Sequence, residues 1–169
     1  DTTWMIRQLL ASKARFCVLW AVIFKKELLE GCLTAPSTIR SGEDILMQIL
    51  CLVKRPKVVF IDDVVYEYTA GLPNNRRQNL DEQRAYDIHL REGLAPVWNE
   101  MKDYYLLRQI KQYENFIAAG DFHVLDDYFR PLRLQLSSRI PLADRLALLL
   151  PPCLAYIPLN PRKSGRFPP

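Results

Sequence analysis

From Leu80 to Ala119 the chain mixes charged and apolar residues at helical spacing, with Gly93 and Pro96 as the only punctuation and Gly120 closing the run. A stretch of this length whose glycine and proline are confined to one place is predicted to be helical, with one face buried and the other solvated. It commits much of the second half of the chain to helix. With 169 residues, 49% of them hydrophobic, the chain can form one compact domain or one piece of a larger one.

The first half reads differently. Met5, Ile6, Leu9 and Leu10 recur at helical spacing behind Thr2 and Thr3, either of which can cap a first helix. Phe16 to Phe24 is almost continuously apolar and predicts a buried strand, followed by a short helix through Glu30 that Gly31 stops. Leu33 to Ser41 reads as a loop around Pro36, and Glu43 to Val53 as a well-buried helix broken by Lys54 to Pro56. Val58 to Ile61 and Val64 to Tyr68 are β-rich runs separated by Asp62 and Asp63, which predicts a short strand pair. Gly, Pro and Asn cluster between Gly71 and Asn75. That cluster sets the expected division into an α/β part, 1–72, and a helical part, 73–169. Phe122 to Ser138 predicts a further helix, and Leu142 to Leu159 a last apolar stretch interrupted by prolines.

Charge and cysteine usage exclude several classes. The net charge of +4 is spread among acidic neighbours, and no base-stacking aromatic motif is present, so nucleic acid is not an expected partner. Cys17, Cys32, Cys51 and Cys153 form no CxxC pair and read as buried free thiols suited to a reducing cytoplasm. The first residues lack the basic and apolar regions of a signal peptide. The chain opens at Asp1 without an initiator methionine, in what reads as mid-helix, and is expected to be a piece of a longer protein. His89 and His123 have no partner at a metal-ligand spacing, and no GxxxxGK[ST], GxGxxG or GxSxG motif occurs.

The most informative stretch is Ser41-Gly42-Glu43-Asp44-Ile45-Leu46, which delivers two adjacent carboxylates to the mouth of a helix after a flexible loop. Helix capping alone explains such a pattern, since Ser41 and Asp44 stand at capping-box spacing and acidic residues complement the helix dipole. Its neighbours add to it. Trp20-Ala21-Val22-Ile23-Phe24-Lys25-Lys26-Glu27-Leu28-Leu29 comes before it, and Val58-Val59-Phe60-Ile61 with Tyr66-Glu67-Tyr68 comes after.

In this order, over residues 16 to 69, the chain resembles bacterial family 2 glycosyltransferases of the surface-polysaccharide type. They share a Trp-led strand with a basic, Leu-rich turn, a Gly-Glu-Asp helix, then a strand and Tyr-x-Tyr. The resemblance implies the C-terminal half of an inverting GT-A enzyme. Asp44 would be the general base, Glu43 its neighbour, and Trp20, Tyr66 and Tyr68 the acceptor-side contacts. Two positions depart from the pattern. Thr69 stands where the family usually has Arg, and Val22 or Ile23 where it usually has Lys. Tyr66 and Tyr68, two apart on a strand, would face one side, a spacing equally suited to packing.

One base suffices for inverting transfer, because it has only to take the proton of the acceptor hydroxyl as that oxygen attacks the anomeric carbon. In the family a metal, Mn or Mg, held by an Asp-x-Asp motif in the N-terminal half neutralises the leaving diphosphate. That half is not found here in the expected order, so the chain alone is expected to be inactive and to hold no cofactor. Asp62-Asp63 imitates a metal site but reads as an ordinary turn, and Asp126-Asp127 as a solvated helix face.

Leu146 to Leu159 is almost entirely apolar, and Arg139, Arg145, Arg162, Lys163 and Arg166 surround it. It is shorter than the about 20 apolar residues a bilayer span needs. A buried core helix and a membrane-surface contact through residues 142–166 both fit.

The expected fold is α+β and mainly helical, the C-terminal edge of a GT-A-like nucleotide-sugar domain followed by a helical extension. The implied parent transfers a sugar from a nucleotide-sugar to a glycan or lipid-linked acceptor in the cytoplasm, peripheral to the inner face of the membrane. The alternative is a non-catalytic helical interaction or membrane-docking module.

Overall fold

The computed structural model describes residues 1–11, 19, 22–34, 36–37, 39, 41–63, 79–120, 128–135 and 140–151. The chain is mainly helical, and no strand occurs among the described residues. Its helices are α1 (Thr2–Leu10), α2 (Glu43–Val53), α3 (Leu80–Gly93), α4 (Trp98–Ala118) and α5 (Leu142–Leu149). Short 3-10 helices cover Lys26–Leu29, Ala95–Val97 and Arg130–Gln135. Two compact units divide the chain, Asp1–Met101 and Lys102–Pro169.

In the first unit α2 packs against both α1 and α3. Met5, Ile6, Leu9 and Leu10 of α1 and Leu46, Ile49 and Leu52 of α2 are buried, as helical periodicity requires. A Cβ added to Gly42 would lie 2.9 Å from the Tyr86 ring, and one added to Gly93 2.5 Å from Leu50 Cδ2. Gly42 precedes α2 and Leu50 lies near its end, while Tyr86 precedes Gly93 on α3. The two helices therefore run in the same general direction. Arg91 stacks its guanidinium over Trp98 at 5.2 Å, a cation–π contact.

The second unit is built on the far part of α4, where Leu106, Ile110, Tyr113, Phe116 and Ile117 are buried. Phe129 sits among Tyr113, Phe116 and Tyr128, with ring centroids 5.6, 6.1 and 5.0 Å away. The Arg130–Gln135 turn packs against α5, and Arg133 Nε donates to the Leu148 carbonyl at 2.6 Å. That carbonyl lies in the last turn of α5, where helical partners run out.

Several expectations need correction. Asp1, not Thr2 or Thr3, caps α1, its Oδ1 accepting from the Thr3 amide at 2.9 Å. Val58 to Ile61 is not a strand but exposed, irregular chain; β propensity measures fit to a half-buried surface, and these side chains are not on one. Of the expected strand over Phe16 to Phe24, Val22–Phe24 is irregular, and most of the rest lies outside the described residues, as does Val64 to Tyr68. Within the expected helix over Phe122 to Ser138 the described part is the 3-10 turn, because Pro131 denies the backbone a donor there. The GT-A-like edge is not shown by these elements.

Candidate functional site

The acidic pair stands at the first turn of α2, and Gly42 sets how the chain enters it. Gly42 is the N-cap, with φ 85° and ψ 3° and no side-chain cap. The left-handed conformation suits glycine. Its carbonyl accepts from the Leu46 amide at 2.9 Å. Ser41 therefore does not cap, and the capping box expected between Ser41 and Asp44 is not formed. Asp44 Oδ1 instead accepts from the Ile45 amide at 2.8 Å, which anchors the carboxylate to the helix it opens. Asp44 is half-buried and Glu43 is exposed.

Beneath this helix start lies α3, whose inward positions Gln83, Tyr86, Asp87 and Leu90 recur at helical spacing and are buried. Gln83 Nε2 donates to Asp87 Oδ1 at 2.7 Å. Tyr86 presses against Gly42. A buried amide–carboxylate pair and a tyrosine thus line the helix that supports the acidic turn. In the sequence they sit in a run that reads as an ordinary amphipathic helix, and polar residues at its inward spacing are the available signal.

The far end of α2 holds the basic, Leu-rich turn. Lys54 Nζ donates to the Leu28 carbonyl at 3.0 Å and closely to that of Glu30. Cys32 Sγ and Cys51 Sγ approach the Leu28 oxygen at 3.3 and 4.0 Å. Carbonyls ending a short helix lack internal partners, so a lysine is a natural cap for them. One helix thereby links the turn at Lys26–Leu29 to the acidic pair at 43–44. Both thiols are buried and free. Burial, and then hydrogen bonding with Cys32, push Cys51 up to about 12, so it is protonated at neutral pH and inert as a nucleophile.

Of the residues the resemblance nominates, Glu43 and Asp44 are adjacent at the helix mouth, while Trp20, Tyr66 and Tyr68 lie outside the described residues. Cys17, Cys153, His123 and Asp126-Asp127 also lie outside. His89 Nδ1 is 3.5 Å from Glu92 Oε2 on the same helix, a surface pair. Asp62 and Asp63 are exposed. Among the described residues no three His, Cys, Asp or Glu side chains converge as a metal site. Also among the described residues, no helix is long and apolar enough to cross a membrane. Compared with family models, curated proteins and solved structures, the chain matches none.

Proposed function

We propose that this chain is the acceptor-side part of an inverting glycosyltransferase that uses a nucleotide-sugar donor, with Asp44 as the general base. The observation that carries the reading is the placement of Asp44, half-buried at the first turn of α2 with one oxygen held by the Ile45 amide. A base fixed in this way is pre-oriented, and the amide ends of the helix favour its charged form. The Lys26–Leu29 turn, the second part of the motif order, is tied to the same helix, which adds support.

In the reaction the acceptor hydroxyl oxygen attacks the anomeric carbon and its proton passes to the Asp44 carboxylate. The new C–O bond forms as the bond to the nucleoside diphosphate breaks on the opposite face. Glu43 stands exposed beside Asp44 at the same helix mouth.

The test is Asp44→Asn in the complete enzyme that carries this segment. Transfer should fall by roughly a hundredfold or more, the usual contribution of a positioned base, with donor affinity and thermal midpoint close to wild type. Asn retains an oxygen for the Ile45 amide, so a purely structural Asp44 predicts near-normal turnover and near-normal stability. Turnover close to wild type would show that the residue only shapes the helix start, and would favour the non-catalytic module.

A further inference from the structure

The helix α5 shows its leucines to solvent. Leu142, Leu146 and Leu149 are 62%, 46% and 56% exposed, whereas Asp144 and Leu148 are buried at 6% and 0%. A residue advances about 100° around a helix, so the three leucines fall within an arc of about 60° and the two buried residues occupy the far side. The roll of the helix is fixed by three contacts. Asp144 Oδ1 takes the Lys111 ammonium at 2.5 Å, Leu148 is in the core, and the Leu148 carbonyl accepts from Arg133. These bonds hold the apolar stripe outward. Leu134, on the turn packed against α5, is 91% exposed.

Charge complementarity tells what the stripe meets. Residues 130–169 contain seven of the 23 Lys and Arg but one of the 19 Asp and Glu, the rest of the chain having sixteen and eighteen; of the seven, Arg130, Arg133 and Arg145 lie among the described residues, on α5 and the turn packed against it. The one acidic residue is Asp144, turned inward and paired. An outward leucine stripe in a segment with almost no negative charge matches the boundary of an anionic bilayer, where apolar side chains enter the acyl region and basic ones meet the headgroups. We infer that Leu142, Leu146 and Leu149 form a monotopic docking surface for anionic lipid membranes. The surface is independent of the sugar-transfer reading and stands or falls separately.

The test is co-sedimentation of the 169-residue chain with vesicles of phosphatidylcholine alone and of phosphatidylcholine with about one third phosphatidylglycerol. The wild-type chain should partition at least about tenfold more strongly onto the anionic vesicles, and about 0.5 M salt should weaken that preference. Changing Leu142→Gln, Leu146→Gln and Leu149→Gln together should reduce the anionic partition by about tenfold or more. Glutamine is a good helix former and the three sites are exposed, so the thermal midpoint should hold. If the triple variant melts early, Leu142→Gln alone, at the first helical residue, takes its place with a smaller drop. Equal binding to both vesicles, or undiminished binding by the variants, would overturn the proposal. So would a wild-type chain that ignores vesicles but self-associates in sedimentation velocity through the same leucines, since the stripe would then meet a second copy.

Discussion

Replacing Lys111 by methionine should destabilise the second unit, and by more at pH 8 than at pH 5. Lys111 Nζ lies 2.9 Å from Glu114 Oε2 and 2.5 Å from Asp144 Oδ1, with side chains 35%, 10% and 8% exposed. One ammonium thus serves two buried carboxylates. Burial would lower the Lys111 pKa, but its hydrogen bonds to Asp144 and Glu114 outweigh this and leave it above 10.5. Burial raises Glu114 above its usual 4.5, and nearby Asp144 adds to the rise against the lowering effect of Lys111. Stranding buried charges costs about 3–5 kcal/mol, and the partial exposure of Lys111 reduces this to about 2. That corresponds to about 4–8 °C in the thermal midpoint. A raised folded pKa means that the contribution of Glu114 is present below 4.5 and lost as pH rises through the folded value. Glu114 takes up its proton more readily as pH falls from 8 to 5, so the loss in the variant should shrink in that direction.

Glu114→Gln is the deciding comparison. It deletes an ion pair but leaves one ammonium facing one carboxylate, so stability at pH 8 should stay level or rise by about 0.5–1 kcal/mol. Urea melts followed by circular dichroism at both pH values measure these changes, and hydrogen exchange of the α4 and α5 peptides localises them. If Glu114→Gln destabilises as much as Lys111→Met, or if the Lys111→Met loss does not depend on pH, the two carboxylates do not share the Lys111 ammonium.

Two further perturbations test the first unit. Gly42→Ala places a Cβ 2.9 Å from the ring of the buried Tyr86 at a backbone φ of 85°, and should cost about 2 kcal/mol in a denaturant melt; an unchanged midpoint would mean that the turn before Glu43 relaxes freely. Cys51, pushed up to about 12, should resist iodoacetamide at pH 7.5 in the folded chain and react once urea unfolds it; alkylation in the native state, read by peptide mass, would contradict its burial.

Long elements were legible from the sequence where local periodicity and terminators agreed. Glu43 to Val53 has apolar residues on every turn, and Gly93, Pro96 and Gly120 mark the ends of α3 and α4, so spacing alone located these helices. Capping was less legible because several residue types compete for one amide. Asp1 and Thr2 both qualify chemically, and at α2 the left-handed turn required Gly42 where a hydroxyl at Ser41 looked adequate. Val58 to Ile61 misled because β propensity measures how well residues fit a paired, half-buried surface and cannot supply the pairing. The carboxylates at the start of α2 were legible because the helix end itself is written in sequence. The Lys111–Asp144 bond was not, since it joins residues 33 apart that share no motif.

The common direction of α2 and α3 makes the assembly of the first unit a problem of chain return. Two helices joined as a hairpin run antiparallel and need only a short connection, about 2–8 residues. Here the chain leaves α2 at Lys54 and must travel back along that helix, about 16 Å for its 11 residues, before Asn79 caps α3. Contacts such as Gly42 with Tyr86 therefore form only after a loop of more than 40 residues has closed, so their entropic cost precedes their reward. Lengthening that connection should change folding speed little, since closure entropy grows only logarithmically with length. Cutting it below the span of α2 would force the helices into opposite directions and pull Tyr86 away from the glycine that positions the acidic turn.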